Sequence, residues 1–126
     1  MAAGILYLTQ AQKAALDTGF CEAFGGTPER YFSAPGRTEI GGNHTDHQRG
    51  HVLAAAVNLD TLAAVRENGT DEIRILSQGY PMCTVSLSQL EPVQAEINTT
   101  PALVRGVAAR FAQLGCGVKG FDAYCT

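Results

Sequence analysis

Residues 34–51 read APGRTEIGGNHTDHQRGH and run directly into the apolar segment VLAAAV at 52–57. Charged, amide and histidine side chains are concentrated here among glycines. Polar groups that become buried need hydrogen-bond partners, and glycines let a backbone approach a ligand closely. The stretch therefore predicts strand remnants and a long shaped loop, followed by a buried strand at 52–57, and it is the place to look for a functional site.

Composition narrows the class of protein. The chain has 126 residues, 45% hydrophobic and 17% charged, with a formal net charge of −3, which is typical of one globular domain. The acidic balance argues against a nucleic-acid partner, and no apolar run approaches the ~20 residues that span a membrane. Because no export signal is visible, we expect a cytoplasmic location. The four cysteines form no CxxC pair, so we expect free thiols and no zinc site.

The flanking segments predict an α+β domain. Thr9 can cap a helix that runs to about Phe24 and ends at Gly25-Gly26. A short strand is expected at 31–34, stopping at Pro35-Gly36, and further strands at 61–67 and 72–77. Asn68-Gly69 predicts a hairpin that pairs these last two strands.

The second half of the chain continues the pattern. Strict alternation predicts a half-buried strand at 83–88. Thr100, with Pro101 at the first position, is expected to cap a helix that Gly115 ends. The helix should bury an apolar stripe and turn Arg105 and Arg110 away from the core. That stripe comprises Leu103, Val107, Phe111 and Leu114. A last strand at 121–126 places Phe121, Ala123 and Cys125 on one face and Asp122, Tyr124 and Thr126 on the other.

One glycine motif matches a dinucleotide-binding pattern but does not indicate such a site. Residues 115–120, GCGVKG, match GxGxxG. A dinucleotide fingerprint needs a strand before it and a helix after it, and the order expected here is the reverse. We interpret the motif as a helix end and a turn.

Residue types alone leave three interpretations of 34–51 open. The segment can be a solvated surface loop. It can be a metal site built from His44, His47, His51 and Asp46, although their spacing follows no helical or finger pattern. It can also be a sugar or phosphate site that uses Arg37 and Asp46, because such ligands require both donors and acceptors.

The segment resembles the first signature of the galactokinases, which are members of the GHMP family of small-molecule kinases. Their pattern is A-P-G-R-x-N-L-I-G-E-H-T-D-Y-N-x-G. The run 52–57 is similar to the family's next strand, and residues 105–107 to part of a family helix. The positions that match the signature are Ala34, Pro35, Gly36, Arg37, Gly42, His44, Thr45, Asp46 and Gly50.

The resemblance implies a fold and a function. The fold would be that of a GHMP-kinase N-terminal domain, with a mixed, mostly antiparallel sheet and two packed helices. The complete protein would phosphorylate galactose at its C1 hydroxyl with ATP and Mg²⁺. Arg37 would be catalytic, stabilising charge on the transferred phosphate. The same implication makes Arg37, Glu39, Asn43, His44 and Asp46 the galactose-binding residues. It assigns no metal ligand and no nucleotide contact, although residues 80–83 lie in a region that could approach ATP.

The family's phosphate loop and catalytic aspartate follow a strand like 121–126. Residues 1–126 would therefore form the N-terminal, galactose-binding part of a galactokinase, without the phosphate loop and the C-terminal domain. We expect this part to be inactive alone, and to self-associate through apolar surface that would otherwise be covered.

The sequence departs from the signature at two complementary positions. Glu39 stands where the family has Asn, and Asn43 stands where the family has Glu. If the two side chains face each other, the exchange keeps the pair. His47 also replaces a family Tyr. The alternative functions are a non-catalytic galactose-binding module, another GHMP kinase of mevalonate or homoserine type, and a structural remnant without a ligand.

Overall fold

The computed structural model describes residues 8–42 and 49–126. It is an α+β domain in which a five-stranded mixed sheet carries two helices, as the sequence predicts. The four cysteines are free thiols. No helix in the described ranges is long and apolar enough to cross a membrane. The elements are α1 (Gln10–Phe24), β1 (Arg30–Gly41), β2 (Leu53–Glu67), β3 (Glu72–Ser77), β4 (Cys83–Ser86), a 3-10 turn (Gln94–Glu96), α2 (Thr100–Gln113) and β5 (Phe121–Cys125).

The sheet has the strand order β1-β2-β5-β3-β4, and only the β3–β5 pair is parallel. The predicted hairpin between β2 and β3 is therefore wrong, because β5 lies between the two strands. The Asn68 side chain explains the wider turn. Its oxygen accepts the Thr70 N–H (3.0 Å), and its amide donates to the Glu72 carbonyl (3.1 Å). Asn68 thus stabilises a connection wide enough for a strand to enter.

The two helices lie on opposite faces of the sheet. Leu16 and Phe20 of α1 pack with Leu62 and Ala64 of β2, whereas Ala108 of α2 packs with residues of β3 and β4. Tyr124 joins the first cluster and Phe121 the second. Since these two residues are an odd number of positions apart on β5, they face opposite sides. The fold is a three-layer arrangement with β5 at its centre.

The N-terminal helix confirms its prediction at both ends. Thr9 and Gln12 form a reciprocal capping box, in which the Thr9 hydroxyl accepts the Gln12 N–H at 3.2 Å. The helix ends at Phe24, and Gly25 forms its C-cap. Local sequence chemistry determines both boundaries.

The strands around the signature differ from their predictions. β1 does not stop at Pro35-Gly36 but continues to Gly41, with its register shifting between Pro35 and Arg37. Proline is tolerated because β1 is an edge strand. β2 is one strand rather than two, and the run 52–57 is not buried. Leu53 is 62% exposed, since neither helix covers this end of the sheet.

The second helix begins one residue earlier than predicted, because Thr100 is its first residue rather than its cap, and the helix is also rotated. Its N-cap is Thr99, and its C-terminus forms a Schellman motif in which Cys116 N–H donates to Phe111 and Gly115, at φ +77°, donates to Ala112. The predicted buried stripe is exposed, whereas Arg105 is buried. The reason is that Arg105 finds hydrogen-bond partners beneath the helix. The motif 115–120 lies between α2 and β5, which confirms that it is a helix end and turn.

The prediction for β4 also needs correction, because the strand ends at Ser86, two residues early; Cys83 and Val85 face inward as expected. On β5 the two faces alternate as predicted, and both are covered. Ala123 is buried on one face, and Asp122 is fully buried on the other. A central strand is covered on both faces, so alternation no longer separates inside from outside.

Candidate functional site

Arg37 and Glu39 lie on the β1 edge strand, in the part that pairs with the start of β2. Arg37 is opposite Ala56, and Glu39 is opposite Ala54. The pairing from 37 to 39 is regular, so the two charged side chains project from the same face. Both are exposed, and no ion pair joins them. The structure therefore brings a guanidinium and a carboxylate side by side without neutralising either one.

The residues opposite Arg37 and Glu39 are small. Cross-strand neighbours on one face stand about 5 Å apart, so larger side chains at 54 and 56 would crowd the two charged groups. The methyl groups of Ala54 and Ala56 leave the surface beside them open.

Gly42 holds the two ends of the signature loop together. Its φ is +83°, and a Cβ added to it would lie 2.0 Å from the His51 carbonyl oxygen. Gly41 pairs directly with Leu53. The backbone before residue 43 and the backbone after residue 50 are thus in contact, at the end of the β1–β2 pair toward which Glu39 lies.

The remaining predicted ligands are Asn43, His44 and Asp46, and they lie outside the described residues. So does His47 of the metal alternative, while His51 is described and exposed. The predicted apposition of Glu39 and Asn43 therefore stays a prediction. Within 8–42 and 49–126, no group of three or more His, Cys, Asp or Glu side chains is placed to hold a metal ion.

A second polar cluster lies at the opposite end of the sheet, and sequence reasoning missed it. Asp122 accepts two hydrogen bonds from Arg74, both 2.8 Å, and a third from Asn68 at 2.9 Å. Arg66 approaches to 3.5 Å. Burial acts to raise the pKa of Asp122, but these hydrogen bonds and charges outweigh it and hold that pKa below its ordinary value. The network fastens three strands and a turn together.

Arg105 forms the other buried charge. Its guanidinium donates to both oxygens of Glu96, at 2.7 and 2.8 Å, and also to the Gln89 carbonyl. Glu96 has a lowered pKa because of this bidentate contact. Arg105 therefore fixes the segment before α2 to the helix. The available sequence signal was an arginine within an apolar helix, nine residues after a glutamate.

Residues 80–83 line a cavity of about 710 Å³ between the end of β3 and the start of α2. Tyr80, Met82 and Cys83 form one wall, and Asn98 and Thr100 the other. Burial raises the pKa of the Cys83 thiol, so this sulfur stays protonated at neutral pH. The cavity is separate from Arg37 and Glu39, neither of which lines it.

Known proteins similar to this chain share both the signature and the fold. The family model described as the galactokinase galactose-binding signature matches residues 18–67, which include β1 and β2. A galactokinase of Lactococcus lactis subsp. lactis (strain IL1403) is 33% identical over 113 residues, 86% of this chain and 28% of the relative. A galactokinase of Lacticaseibacillus casei (strain BL23) is 44% identical over 63 residues, 50% of this chain and 16% of that relative.

Solved structures agree with these sequence relatives. The crystal structure of Lactococcus lactis galactokinase complexed with galactose superposes with a TM-score of 0.77 at 28% identity, over 89% of this chain and 30% of that chain. The Methanococcus jannaschii mevalonate kinase shares the fold, with a TM-score of 0.58 at 13% identity, over 80% of this chain and 32% of that chain.

The chain therefore spans less than a third of each of these relatives. Within that span, the signature, the sequence relatives and the sheet topology all agree. The chain belongs to the galactokinase family.

Proposed function

We propose that this chain is the N-terminal galactose-binding part of a galactokinase, and that the complete enzyme transfers the γ-phosphate of ATP to the C1 hydroxyl of galactose. One observation carries the proposal. The galactose-binding signature covers the β1–β2 pair, which leaves Arg37 and Glu39 exposed on one face, and Gly42 meets His51 at the end of this pair. The galactose complex of the Lactococcus lactis relative supports the choice of sugar.

Arg37 is the catalytic residue of this proposal. Phosphoryl transfer requires positioning and charge stabilisation more than covalent chemistry from the protein. A guanidinium stays protonated at physiological pH and can donate two parallel hydrogen bonds to phosphate oxygens. Arg37 is exposed and has no ion pair with Glu39, so its charge is available for a phosphate group. The edge strand fixes its position opposite Ala56.

Glu39, Asn43, His44 and Asp46 would bind the sugar hydroxyls. Carboxylates accept hydroxyl protons, an amide both accepts and donates, and an imidazole can do either. The galactokinase signature places a carboxylate and an amide at positions 43 and 39, whereas this chain has them in the reverse order. We propose that the pair still binds the sugar, with Glu39 as the stronger acceptor.

ATP and Mg²⁺ are the expected cofactors of the complete enzyme. The described residues of this chain suit a phosphate group better than they suit Mg²⁺. A phosphate group suits the exposed Arg37. Mg²⁺ prefers clustered oxygen ligands, and the described ranges contain no group of three metal-capable side chains. We therefore assign no magnesium ligand among the described residues. The nucleotide contacts and the cytoplasmic location stay predictions.

The direct test is a calorimetric titration of the 126-residue chain with galactose, with glucose as the control sugar. We expect galactose-selective binding that falls at least tenfold in Arg37→Ala and in Asp46→Ala. Arg110→Ala is the matched control, because Arg110 is an exposed arginine on α2 whose side chain bonds only Gln113 among the described residues. Equal affinity for the two sugars, or equal losses in all three variants, would contradict the proposal.

The Glu39/Asn43 exchange has its own test. Glu39→Asn and Asn43→Glu should each weaken galactose binding, and the double variant should restore it if the two side chains share one sugar contact. A double variant that binds worse than both single variants would show that they act separately.

A non-catalytic galactose-binding module is the second candidate, because the family model that matches is the sugar-binding signature. None of the 126 residues matches the family's phosphate loop, so we expect no galactose-dependent ADP formation by this chain alone. Galactose-dependent ADP formation in a preparation free of host kinases would contradict that expectation. A longer chain that contains β5 and the residues after it should form ADP if the kinase proposal is right, and should only bind sugar if the module proposal is right.

A further inference from the structure

The turn that leaves β2 contains Asn68 followed by Gly69, and this pair of residues is chemically labile. Asparagine is among the thermolabile residues of proteins, because the backbone nitrogen of the next residue can attack its side-chain amide carbon. A glycine at that next position favours the attack, since it has no Cβ to obstruct it and its backbone is unusually free. Gly69 also faces open space, because a Cβ added to it would meet nothing within 4 Å. The turn therefore supplies both groups that the reaction needs.

The fold holds the Asn68 side chain by all of its hydrogen-bonding groups. Its amide nitrogen donates to the Glu72 carbonyl at 3.1 Å and to an Asp122 carboxylate oxygen at 2.9 Å. Its oxygen accepts from the Thr70 N–H at 3.0 Å and from the Thr70 hydroxyl at 2.8 Å. Since an asparagine amide has two donor hydrogens and two acceptor lone pairs, each of them is used.

These hydrogen bonds oppose the reaction. For the attack, the amide carbon of Asn68 must move against the Gly69 nitrogen and become tetrahedral, and the amide nitrogen must then leave. Both movements break the hydrogen bonds of the amide nitrogen, one of which is made to the buried carboxylate of Asp122. Because hydrogen bonds to charged groups are among the stronger ones in proteins, the reaction has to wait for a local opening of the turn.

The start of the central strand fits closely against the same turn. The Asn68 N–H donates to the Gly120 carbonyl at 3.3 Å. A Cβ added to Gly120 would lie 2.7 Å from the Asn68 side-chain oxygen and 2.1 Å from the Thr70 carbonyl oxygen. Gly120 directly precedes β5. A change in the charge or the length of the turn therefore acts directly on the strand at the centre of the sheet.

We propose that Asn68 is a deamidation site that the folded chain protects, and that its conversion weakens the fold. The Gly69 nitrogen forms a bond to the side-chain carbon of Asn68, the bond from that carbon to the amide nitrogen breaks, and ammonia leaves with the Gly69 proton. Water then opens the cyclic imide at one of its two carbonyls, which gives aspartate or isoaspartate. One water is consumed and one ammonia is released, without an oxidant or a reductant. The proposal is independent of the proposed sugar chemistry.

Neither product fits the native turn. In aspartate, an acceptor oxygen replaces the amide nitrogen that stands 2.9 Å from Asp122, and two carboxylates so close cannot both remain ionised at low cost. In isoaspartate, the backbone runs through the side chain and gains one carbon, which lengthens the turn that packs against Gly120. Because a chemically modified chain cannot return to the native state, each opening that ends in deamidation is irreversible.

Peptide mass spectrometry of the 126-residue chain tests the protection. The chain is incubated at neutral pH in buffer and in guanidinium chloride, and the replacement of the Asn68 amide by a carboxyl group is followed over time. We expect the reaction to be at least about tenfold slower in the folded chain, because a hydrogen bond to a charged group must break first. Thr70→Ala removes the hydroxyl that bonds Asn68, and it should speed the reaction in buffer but not in guanidinium chloride. Gly69→Ala should slow it in guanidinium chloride.

Two aspartate variants test the consequence for the fold. Asn68→Asp should lower the urea midpoint of unfolding. Asn58→Asp is the matched control, because Asn58 is an exposed asparagine of β2, and surface substitutions change stability little. Equal rates of deamidation in buffer and in guanidinium chloride, no deamidation of Asn68 in guanidinium chloride, or equal midpoints of the two aspartate variants would each overturn the proposal.

Discussion

The charged residues at the two ends of the sheet differ in their burial and in their pairing. At the end formed by β2, β3 and β5, the Asp122 carboxylate is fully buried and is satisfied by Arg74, Asn68 and Arg66. At the hairpin end, Arg37 and Glu39 are adjacent and exposed, and they do not pair. The hydrogen bonds of the first arrangement stabilise the fold, whereas the hydrogen-bonding groups of the second remain available to a ligand. The difference separates charges that stabilise the protein from charges that can bind a ligand.

The largest effect is expected from breaking the buried network. Arg74→Ala removes both 2.8 Å hydrogen bonds to Asp122. Leaving a buried charge without its partner costs about 3–5 kcal/mol of unfolding free energy, and we expect the lower value because Arg66 remains. Lys13→Ala removes an exposed ion pair of similar length, Lys13–Asp17 at 2.7 Å, and should cost far less stability, because solvent screens an exposed pair. Urea unfolding of both variants tests the contrast, and equal losses would show that Asp122 is not a structural charge.

Acid titration should reveal the same network. A carboxyl group whose pKa is lowered by folding contributes stability above its unfolded pKa and loses it as the pH falls through the folded pKa. The pKa of Asp122 is lowered, so stability should decline below about pH 4. Asp122→Asn should be less stable at pH 7 and show a shallower decline in acid. If both proteins lose stability in parallel below pH 4, the acid sensitivity lies elsewhere, for example at Asp17 or Glu96.

The sequence could predict the structural features that depend on neighbouring residues, and it failed on one that depends on a distant strand. The Thr9 cap, the Gly25 and Gly115 helix ends and the alternation of Cys83 and Val85 depend on neighbouring residues, and the structure confirms them. The prediction of a hairpin at Asn68-Gly69 was wrong, because the strand inserted between β2 and β3 comes more than fifty residues later in the chain.

Buried charges caused a second kind of error. Arg105 was expected to turn away from the core, and its burial becomes favourable only when distant partners are in place. No prediction placed Asp122 in the core, and its partner Arg74 is likewise distant in the sequence. The signature identified the family correctly. Of its predicted ligands, however, only Arg37 and Glu39 lie in the described ranges. The assignment of sugar contacts to Asn43, His44 and Asp46 stays a prediction.

A comparison of two glycines tests the hairpin end at a smaller scale. Gly42 and Gly69 both have positive φ, +83° and +67°, but a Cβ would strike His51 only at Gly42. Replacement by alanine should cost each variant about 1–2 kcal/mol of stability from backbone strain, with a further loss at Gly42 from the clash. Gly42→Ala should also weaken galactose binding about tenfold, equivalent to roughly 1.4 kcal/mol, because the ends of the loop separate. Calorimetry should find the affinity of Gly69→Ala unchanged. Equal affinities of the two variants would mean that loop closure does not shape the site.

The most direct test of the galactose-site account is a map of backbone amide chemical shifts during a galactose titration of the chain. The account predicts perturbations at residues 37–41 and 53–57, which pair across the signature hairpin, and none at Asn68, Arg74 or Asp122. Glucose at the same concentrations should leave the hairpin amides much less affected. Galactose-induced shifts centred on the Asp122 network, or no shift at either end, would contradict the claim that the exposed charges of β1 form the sugar site.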